Sequence, residues 1–240
     1  MKVLTVLLLL STLPVSAASL YVRGGVAIEQ SGDTTVSDRD CASTNPPALF
    51  GCGIDARGGF ATVEAFDVAA GANLGEHARV ELAFTDRDLD LGASANFTGV
   101  RGAQPVRANG SSRALLLNGF WTCDNDADIQ PFVFAGAGIA RNEIGEVRYT
   151  FPGIAANALT ITQGGSSSGL AWNAGAGVSV RMASSLFVDV ALRYTDLGDV
   201  ETDAGDATIV RPSRTIVLGI DGTRANADTL GVAITLRWSR

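Results

Sequence analysis

The residues best suited to chemistry in this sequence are arginines and carboxylates at alternate positions of strand-like segments. Guanidinium and carboxylate groups placed this way can form charge-assisted pairs, and rows of such pairs can either fill an interior or line an ion path. Nine of them are predicted to share one interior: Arg23, Asp67, Arg79, Glu81, Arg87, Arg181, Asp189, Arg193 and Arg237.

Two turns set the predicted partners of these charges. If residues 183–185 form a three-residue turn, Met182 faces Leu186, Asp189 faces Ser179, and Asp189 is diagonal to Arg181. The same count around a turn at residues 75–77 places Asp67 opposite Thr85 and diagonal to Arg87. Diagonal neighbours on one face of a strand pair are within reach of a long side chain. The predicted network is either a gate for a narrow ion path or a structural plug.

Other candidates for chemistry are weak, and no catalytic residue, metal site or cofactor is predicted. The only histidine, His77, falls in a predicted turn with Glu76 beside it, which argues against a hydrolase that needs a histidine base. The segment Asp124–Asp128 has alternating oxygens but lacks the glycine and glutamate of a calcium loop. The glycines of Gly164–Gly169 have no lysine and no following helix, so they do not predict a phosphate loop.

The elements that carry these charges alternate in polarity with a period of two. In Leu170–Met182 and Leu186–Tyr194 the even positions are mostly apolar, and the odd positions are small, polar or charged. This period is that of a strand with two different faces. Because the arginines and aspartates share a face with glycines that leave room for them, the pattern predicts a barrel with lipid outside and a polar interior.

Eight such strands are predicted, joined alternately by long polar loops and short turns. This asymmetry is typical of outer-membrane barrels, and it predicts an all-β, eight-stranded antiparallel transmembrane β-barrel with four long outer loops, short periplasmic turns and both termini in the periplasm. The facing of strands four and five is open, since both contain consecutive apolar residues. The predicted strands are Leu20–Glu29, Gly59–Leu74, Ala78–Asp86, Arg113–Trp121, Pro131–Asn142, Leu170–Met182, Leu186–Tyr194 and Thr229–Trp238, and Thr215–Ile220 could add a strand above the membrane.

The N-terminus predicts export. Lys2, the apolar run Val3–Leu10 and small residues near Ala18 form a cleaved signal peptide over residues 1–18, followed by a barrel domain over residues 19–240. No other stretch approaches the roughly 20 apolar residues of a membrane helix. The formal net charge is -7, and Lys2 is the only lysine. Such an acidic chain is a poor candidate for binding nucleic acid.

Cysteines and aromatic residues support the same architecture. Cys41 and Cys52 share one long loop, and export makes a disulfide between them plausible, whereas Cys123 falls in a turn at the other end. Aromatic side chains near predicted strand ends would form the girdles that meet lipid headgroups. These residues are Tyr21, Trp121, Trp172, Tyr194 and Trp238.

A family resemblance rests on three short motifs. Residues 131–140, PFVFAGAGIA, look like the "PYVGAGIG" strand of the opacity-protein family, the small outer-membrane barrels of Gram-negative bacteria that include the immunogenic surface porins of alphaproteobacteria. Ala174–Val178 and then Leu192–Tyr194 are similar to the next two strands of that family. The resemblance implies a Gram-negative outer-membrane protein that acts in envelope integrity, adhesion or antigenic display.

The predicted function is therefore non-enzymatic, with loops that meet the environment and with a narrow porin-type channel for ions or small solutes as the alternative. An outer-leaflet enzyme and a soluble ligand-binding barrel rank below these two. The expected partners are outer-membrane lipid or lipopolysaccharide, the barrel assembly machinery, and surface ligands of a host or the environment reached through the loops.

Overall fold

The computed structural model describes residues 19–97, 99–123 and 127–240, and these residues form strands with no α-helix. No helix in these ranges is long and apolar enough to cross a membrane. The predicted signal peptide and residues 124–126 of the calcium-like segment lie outside the described residues. The strands are β1 Ser19–Ser31, β2 Thr34–Asp38, β3 Ala56–Phe60, β4 Val63–Leu74, β5 Ala78–Ala95, β6 Gln104–Thr122, β7 Ile129–Ile144, β8 Val147–Thr150, β9 Leu159–Thr162, β10 Gly165–Ala183, β11 Leu186–Glu201, β12 Gly205–Arg211, β13 Arg214–Ile220 and β14 Thr223–Ser239.

Eight long strands pair in a closed antiparallel ring. The order around the ring is β1, β4, β5, β6, β7, β10, β11 and β14, and β14 pairs back to β1 from Tyr21 with Ser239 to Ser31 with Thr229. Seven ring strands contain a whole predicted strand, and β4 contains most of the eighth. Closure leaves the ring without a free edge, so every strand in it has hydrogen-bonding neighbours on both sides.

The two ends of the ring differ. At one, here called the turn end, short connections join β4 to β5, β6 to β7, and β10 to β11, and Arg240 donates its backbone N–H to Leu20. Gly75 begins the first of these turns with a φ of 82°, a conformation that favours glycine. At the other, the loop end, the connections contain further strands or extend the ring strands.

The loop end is more ordered than the sequence predicted. The expected strand Gly59–Leu74 is wrong at its start, because the chain leaves β3 at Phe60 and begins β4 at Val63. The expected second loop is largely strand, since β5 continues to Ala95 and pairs with β6 from Gln104 onward. The remaining loops contribute β2, β3, β8, β9, β12 and β13. The segment expected to add a strand at Thr215–Ile220 lies in β13, which forms a hairpin with β12.

These extra strands cover an apolar core at the loop end. Its buried members include Leu89 and Leu91 of β5, Val106 of β6, and Tyr149 of β8. Phe50 packs on this core and stacks on Phe97, with ring centroids 5.2 Å apart. Burial raises the pKa of the Tyr149 phenol above its usual range, so this ring is held as a neutral group in the core.

The predicted disulfide joins Cys41 to Cys52 in the first loop. Nearby, the Asp38 carboxylate accepts backbone N–H groups from Leu49, Phe50 and Gly51 at 2.8–3.0 Å. The bridge and this carboxylate hold the loop that presents Phe50 to the loop-end core.

Candidate functional site

The inward positions of the ring strands carry the charges that the sequence placed inside. Eight of the nine lie in the interior: seven are fully buried, and Arg23 is partly buried. Arg181 is the exception, because it lies exposed at the turn end. The interior also contains Glu29, a fully buried carboxylate that the sequence analysis missed. Glu29 could have been found, since it lies in phase with Arg23 on the same strand.

Glu29 is the centre of the upper ion network. Its Oε2 accepts from Arg87 Nε at 2.9 Å and from Thr229 at 2.8 Å, and its Oε1 accepts from Arg193 Nη2 at 2.6 Å. Arg193 also donates to both oxygens of Asp67, at 2.9 and 3.0 Å. Two carboxylates and two guanidinium groups thus pair with one another, as buried charges require, although Nη1 of Arg87 is buried without a hydrogen-bond partner.

Gly231 makes the pairing between Glu29 and Arg193 geometrically feasible. It is the register partner of Glu29 on one side and of Arg193 on the other. A Cβ at this position would lie 2.7 Å from Cγ of Glu29 and closer still to the backbone of β1. The missing side chain therefore leaves the space in which the two charged side chains meet.

A second group of charges lies closer to the turn end. Glu81 accepts from Arg23 and from the Tyr21 hydroxyl, with its Oε2 at 3.1 Å from each donor atom. Asp189 accepts from Arg237 Nε at 3.1 Å, and Nη2 of Arg79 lies 3.6 Å from the same oxygen. The guanidinium of Arg79 also packs on Phe120 and Phe132, 4.3 and 4.7 Å from the ring centroids.

The interior between these groups is nearly filled. A cavity of about 20 Å³ lies between them, lined by Asn118, Asn173, Asp189 and Arg193 among others. This volume suits about one water molecule, which polar groups at such a site can bind. Above the Glu29 network, the loop-end core fills the ring with apolar side chains. The described residues therefore show a closed interior.

The register confirms both predicted facing pairs and the diagonal positions that follow from them, but the ion pairs of these carboxylates involve other strands. Asp189 is opposite Ser179 and Asp67 is opposite Thr85 in the register. Asp189 binds Arg237 and Arg79, and Asp67 binds Arg193. Arg79 and Arg193 reach these carboxylates across the closed ring and Arg237 reaches Asp189 from the neighbouring strand β14, whereas the prediction considered only one hairpin at a time.

The turn at the end of β10 also differs from the prediction. Ala183 pairs with Leu186, so that Met182 does not face Leu186, and the register shifts between Arg181 and Ala183. This irregularity leaves Arg181 exposed at the mouth of the ring, with its guanidinium 5.7 Å from the ring of Phe187.

The outer face of the ring carries a continuous apolar belt. The two strands whose facing was open are resolved, since Leu115 and Leu117 point outward whereas Leu116 and Phe132 point inward. Along β14 the belt covers nine residues, from Leu230 to Trp238, which matches the 9–11 residues of a membrane-spanning strand.

Of the residues predicted for the aromatic girdle, the three tryptophans are exposed, and the prediction is wrong for Tyr21. Trp121 and Trp238 are exposed near the turn end, and Trp172 is exposed at the upper edge of the belt, where it contacts Tyr194. Tyr21 is 2% exposed and points into the ring toward Glu81. Tyr21 occupies an odd position of β1, as the inward charges Arg23 and Glu29 do. The alternation of β1 therefore turns its side chain inward, although it lies at a strand end.

The upper edge of the belt is sharp. Across β5, β6, β7 and β10 one outward register row is wholly apolar, and the next row toward the loop end is polar. The apolar row is Phe84, Leu115, Ile139 and Leu170, and the polar row is Asp86, Arg113, Arg141 and Ser168. Arg113 binds Asp86 at 3.4 Å and Arg141 binds Glu143 at 2.9 Å.

The remaining residues that the sequence singled out lie at the surface or within a strand. His77 is exposed in its turn with its ring 5.7 Å from that of Trp121. Cys123 is a free, exposed thiol at the turn end. Residues 165–169 begin strand β10. Within the described ranges, no group of three or more histidine, cysteine or acidic side chains could hold a metal ion.

A family model named "Outer membrane protein beta-barrel domain" matches residues 3–219. The chain belongs to this outer membrane β-barrel family. Family membership explains the inverted polarity of the ring, since an apolar belt faces lipid and the charges are enclosed. No curated protein matches the chain.

Solved outer-membrane proteins are similar to this chain at low sequence identity. OprG from Pseudomonas aeruginosa is 15% identical with a TM-score of 0.53, over 93% of this chain and 96% of OprG. Neisserial surface protein A is 12% identical with a TM-score of 0.48, over 92% of this chain and 98% of that protein. Ail, the attachment invasion locus protein of Yersinia pestis, is 10% identical with a TM-score of 0.39, over 91% and 99%.

Proposed function

We propose that this protein is a non-enzymatic barrel of eight membrane-spanning strands, exported by a cleaved signal peptide, that displays its loop end as a binding surface on a Gram-negative cell. The role is adhesion or another surface contact, within the broader set of envelope and antigen functions. The observation that supports it is the contrast between a closed interior and an ordered loop end. A solute path has no room in a cavity of about 20 Å³, whereas the loops form a folded, exposed surface.

The hairpin of β12 and β13 is the best candidate for contact on this surface. β13 pairs with β12 alone and ends the strand order of the sheet. Residues on both faces of β13 are exposed, including Ile216 and Val217 at 37% and 60%. An exposed edge strand with apolar side chains can add a strand from a partner or bury its side chains against one.

The test is binding of whole cells that express the protein to immobilised matrix proteins. The double variant Ile216→Ser/Val217→Ser should reduce binding at least fivefold at equal surface expression. Ile154→Ser is the matched control, because Ile154 is exposed in a different loop, and it should leave binding unchanged. Binding that survives the double variant would exclude the hairpin, and cells that never bind any matrix protein would exclude adhesion.

A narrow channel is the second candidate, and the interior charges are what favour it. Five arginines and four carboxylates lie in the ring, and rearrangement of one pair could open a path past Asp189 and Arg193. The test is single-channel conductance of refolded protein in a planar bilayer. We expect silence from the wild type and from Asp189→Ala and Arg193→Ala. Steady openings that grow in these variants would make the channel the leading function.

A further inference from the structure

The turn end of the ring opens into a polar vestibule that none of the functions above uses. Its volume is about 230 Å³, and its wall includes Asn73, Glu76, Arg79, Arg181, Ser184 and Arg237. The Ser184 hydroxyl and the guanidinium groups of Arg79 and Arg237 supply hydrogen-bond donors, whereas the Asn73 amide already donates to Ser19 and Ser239. Two of the arginines, Arg79 and Arg237, are 5% and 4% exposed, so their charges lie at the buried floor of the vestibule.

The charges of the interior do not balance, and the imbalance is at this floor. In the upper network, Glu29 and Asp67 match Arg87 and Arg193. Nearer the turn end, Glu81 matches Arg23. That leaves Asp189 as the one carboxylate for both Arg79 and Arg237 among the described residues.

Arg79 carries the unmatched charge. Arg237 has the closer contact with Asp189, at 3.1 Å, and donates to Ser179 as well. Nη2 of Arg79 is 3.6 Å from Asp189, and neither its Nε nor its Nη2 has a hydrogen-bond partner, although both are buried. A buried guanidinium without hydrogen bonds is costly, and the rings of Phe120 and Phe132 hold it in place without supplying acceptors.

We propose that the vestibule binds a small phosphate-bearing anion at Arg79 and Arg237. A tetrahedral oxyanion presents several acceptor oxygens, and two guanidinium groups clamped by aromatic rings can bind it in a bidentate manner. The volume accommodates free phosphate or a phosphate ester of a short polyol. The site faces away from the loop end, so it is independent of the surface function proposed above.

The test is calorimetric titration of the refolded, full-length protein in detergent, with inorganic phosphate and glycerol phosphate as probes and chloride at matched ionic strength as reference. We expect saturable binding of phosphate and none of chloride. Tighter binding of glycerol phosphate would identify an esterified ligand, and tighter binding of inorganic phosphate would identify the free anion. Binding of phosphate no stronger than that of chloride would overturn the proposal.

Three variants assign the binding to this site. Arg79→Gln should weaken phosphate binding at least tenfold, and Asp189→Asn should tighten it severalfold because it removes the competing carboxylate. Arg113→Gln, at the opposite edge of the belt, should leave it unchanged. Folding is checked by heat-modifiable gel mobility, and if Arg79→Gln does not fold, the direction of the Asp189→Asn effect decides. Weaker or unaltered binding in Asp189→Asn would refute the site.

Discussion

The interior of the ring changes character along its own strands. In β5 the inward residues up to Arg87 are charged or polar except Ala83, and they are apolar from Leu89 onward. The outward residues change in the opposite sense, from Phe84 to Asp86, close to the same level. The belt region thus has lipid-compatible residues outside and charges inside, whereas the loop end has polar residues outside and an apolar core inside. A constant period of two accommodates both, because it fixes the facing but leaves the polarity of each face free.

The largest expected effect comes from the polar interior. Glu29→Gln removes the charge that binds both Arg87 and Arg193 and should lower the free energy of unfolding by about 3–5 kcal/mol, since two buried guanidinium groups lose their partner. The measurement is urea unfolding in lipid vesicles, followed by heat-modifiable gel mobility. An effect below about 1 kcal/mol, the range of exposed pairs, would show that the network is solvated rather than enclosed.

The apolar interior should respond next, and in a different readout. Leu89→Ala creates a cavity in the loop-end core, where Leu89 is 1% exposed, and should cost about 3 kcal/mol. We expect faster proteolysis of the loop end with an unchanged heat-modifiable ring. Joint loss of both signals would show that the two regions unfold as one unit and differ in structure but not in stability.

The disulfide should have a smaller and more local effect. Its cysteines are 11 residues apart, and closing so short a loop stabilises by about 2–3 kcal/mol through the entropy of the unfolded chain. The double variant Cys41→Ser/Cys52→Ser should increase cleavage of the segment that holds Phe50. Cys123→Ser is the matched control and should change neither readout. Equal protease resistance with and without the bridge would assign the loop's order to Asp38 and Phe50 alone.

The polar rim of the belt should respond least. Glu143→Gln removes an exposed partner of Arg141 and should change the free energy of unfolding by about 1 kcal/mol or less, because water and salt screen such pairs. The measurement is the same urea titration as for Glu29→Gln. A loss of unfolding free energy as large as that of Glu29→Gln would mean that ion pairs at the rim and in the interior contribute equally to stability.

Outside β6 and β7, the sequence predicted the facing of the ring strands, and it predicted the turn at residues 75–77, because both depend on neighbours along the chain. It did not predict partners across the ring. Asp67 and Arg193 are 126 residues apart and meet only after closure, at a stagger that no single hairpin reveals. Tyr21 was misplaced although its own alternation with Arg23 indicated an inward side chain.

The ordered loop end was the part least accessible to sequence reasoning. Its six strands are four to seven residues long, too short for a period to stand out among glycines and polar residues. These short strands become buried by covering Leu89, Leu91 and Val106. Those three residues belong to ring strands that the sequence pattern predicted as too short. These short strands form because they cover the apolar residues at the loop end, and that apolar surface exists only after the ring has formed.

The sharp edge of the belt also disfavours an incorrect strand register during assembly. A slip of β6 against β7 by two residues would preserve every inward and outward facing, so alternation alone would not oppose it. Leu115 and Ile139 are now opposite each other in the apolar row. Such a slip would place Arg113 opposite Ile139, or Arg141 opposite Leu115, and so bring an arginine into that row. An arginine drawn into hydrocarbon costs about 2–4 kcal/mol at the bilayer midplane and less toward its edge. The membrane therefore makes the misaligned ring less stable than the aligned one.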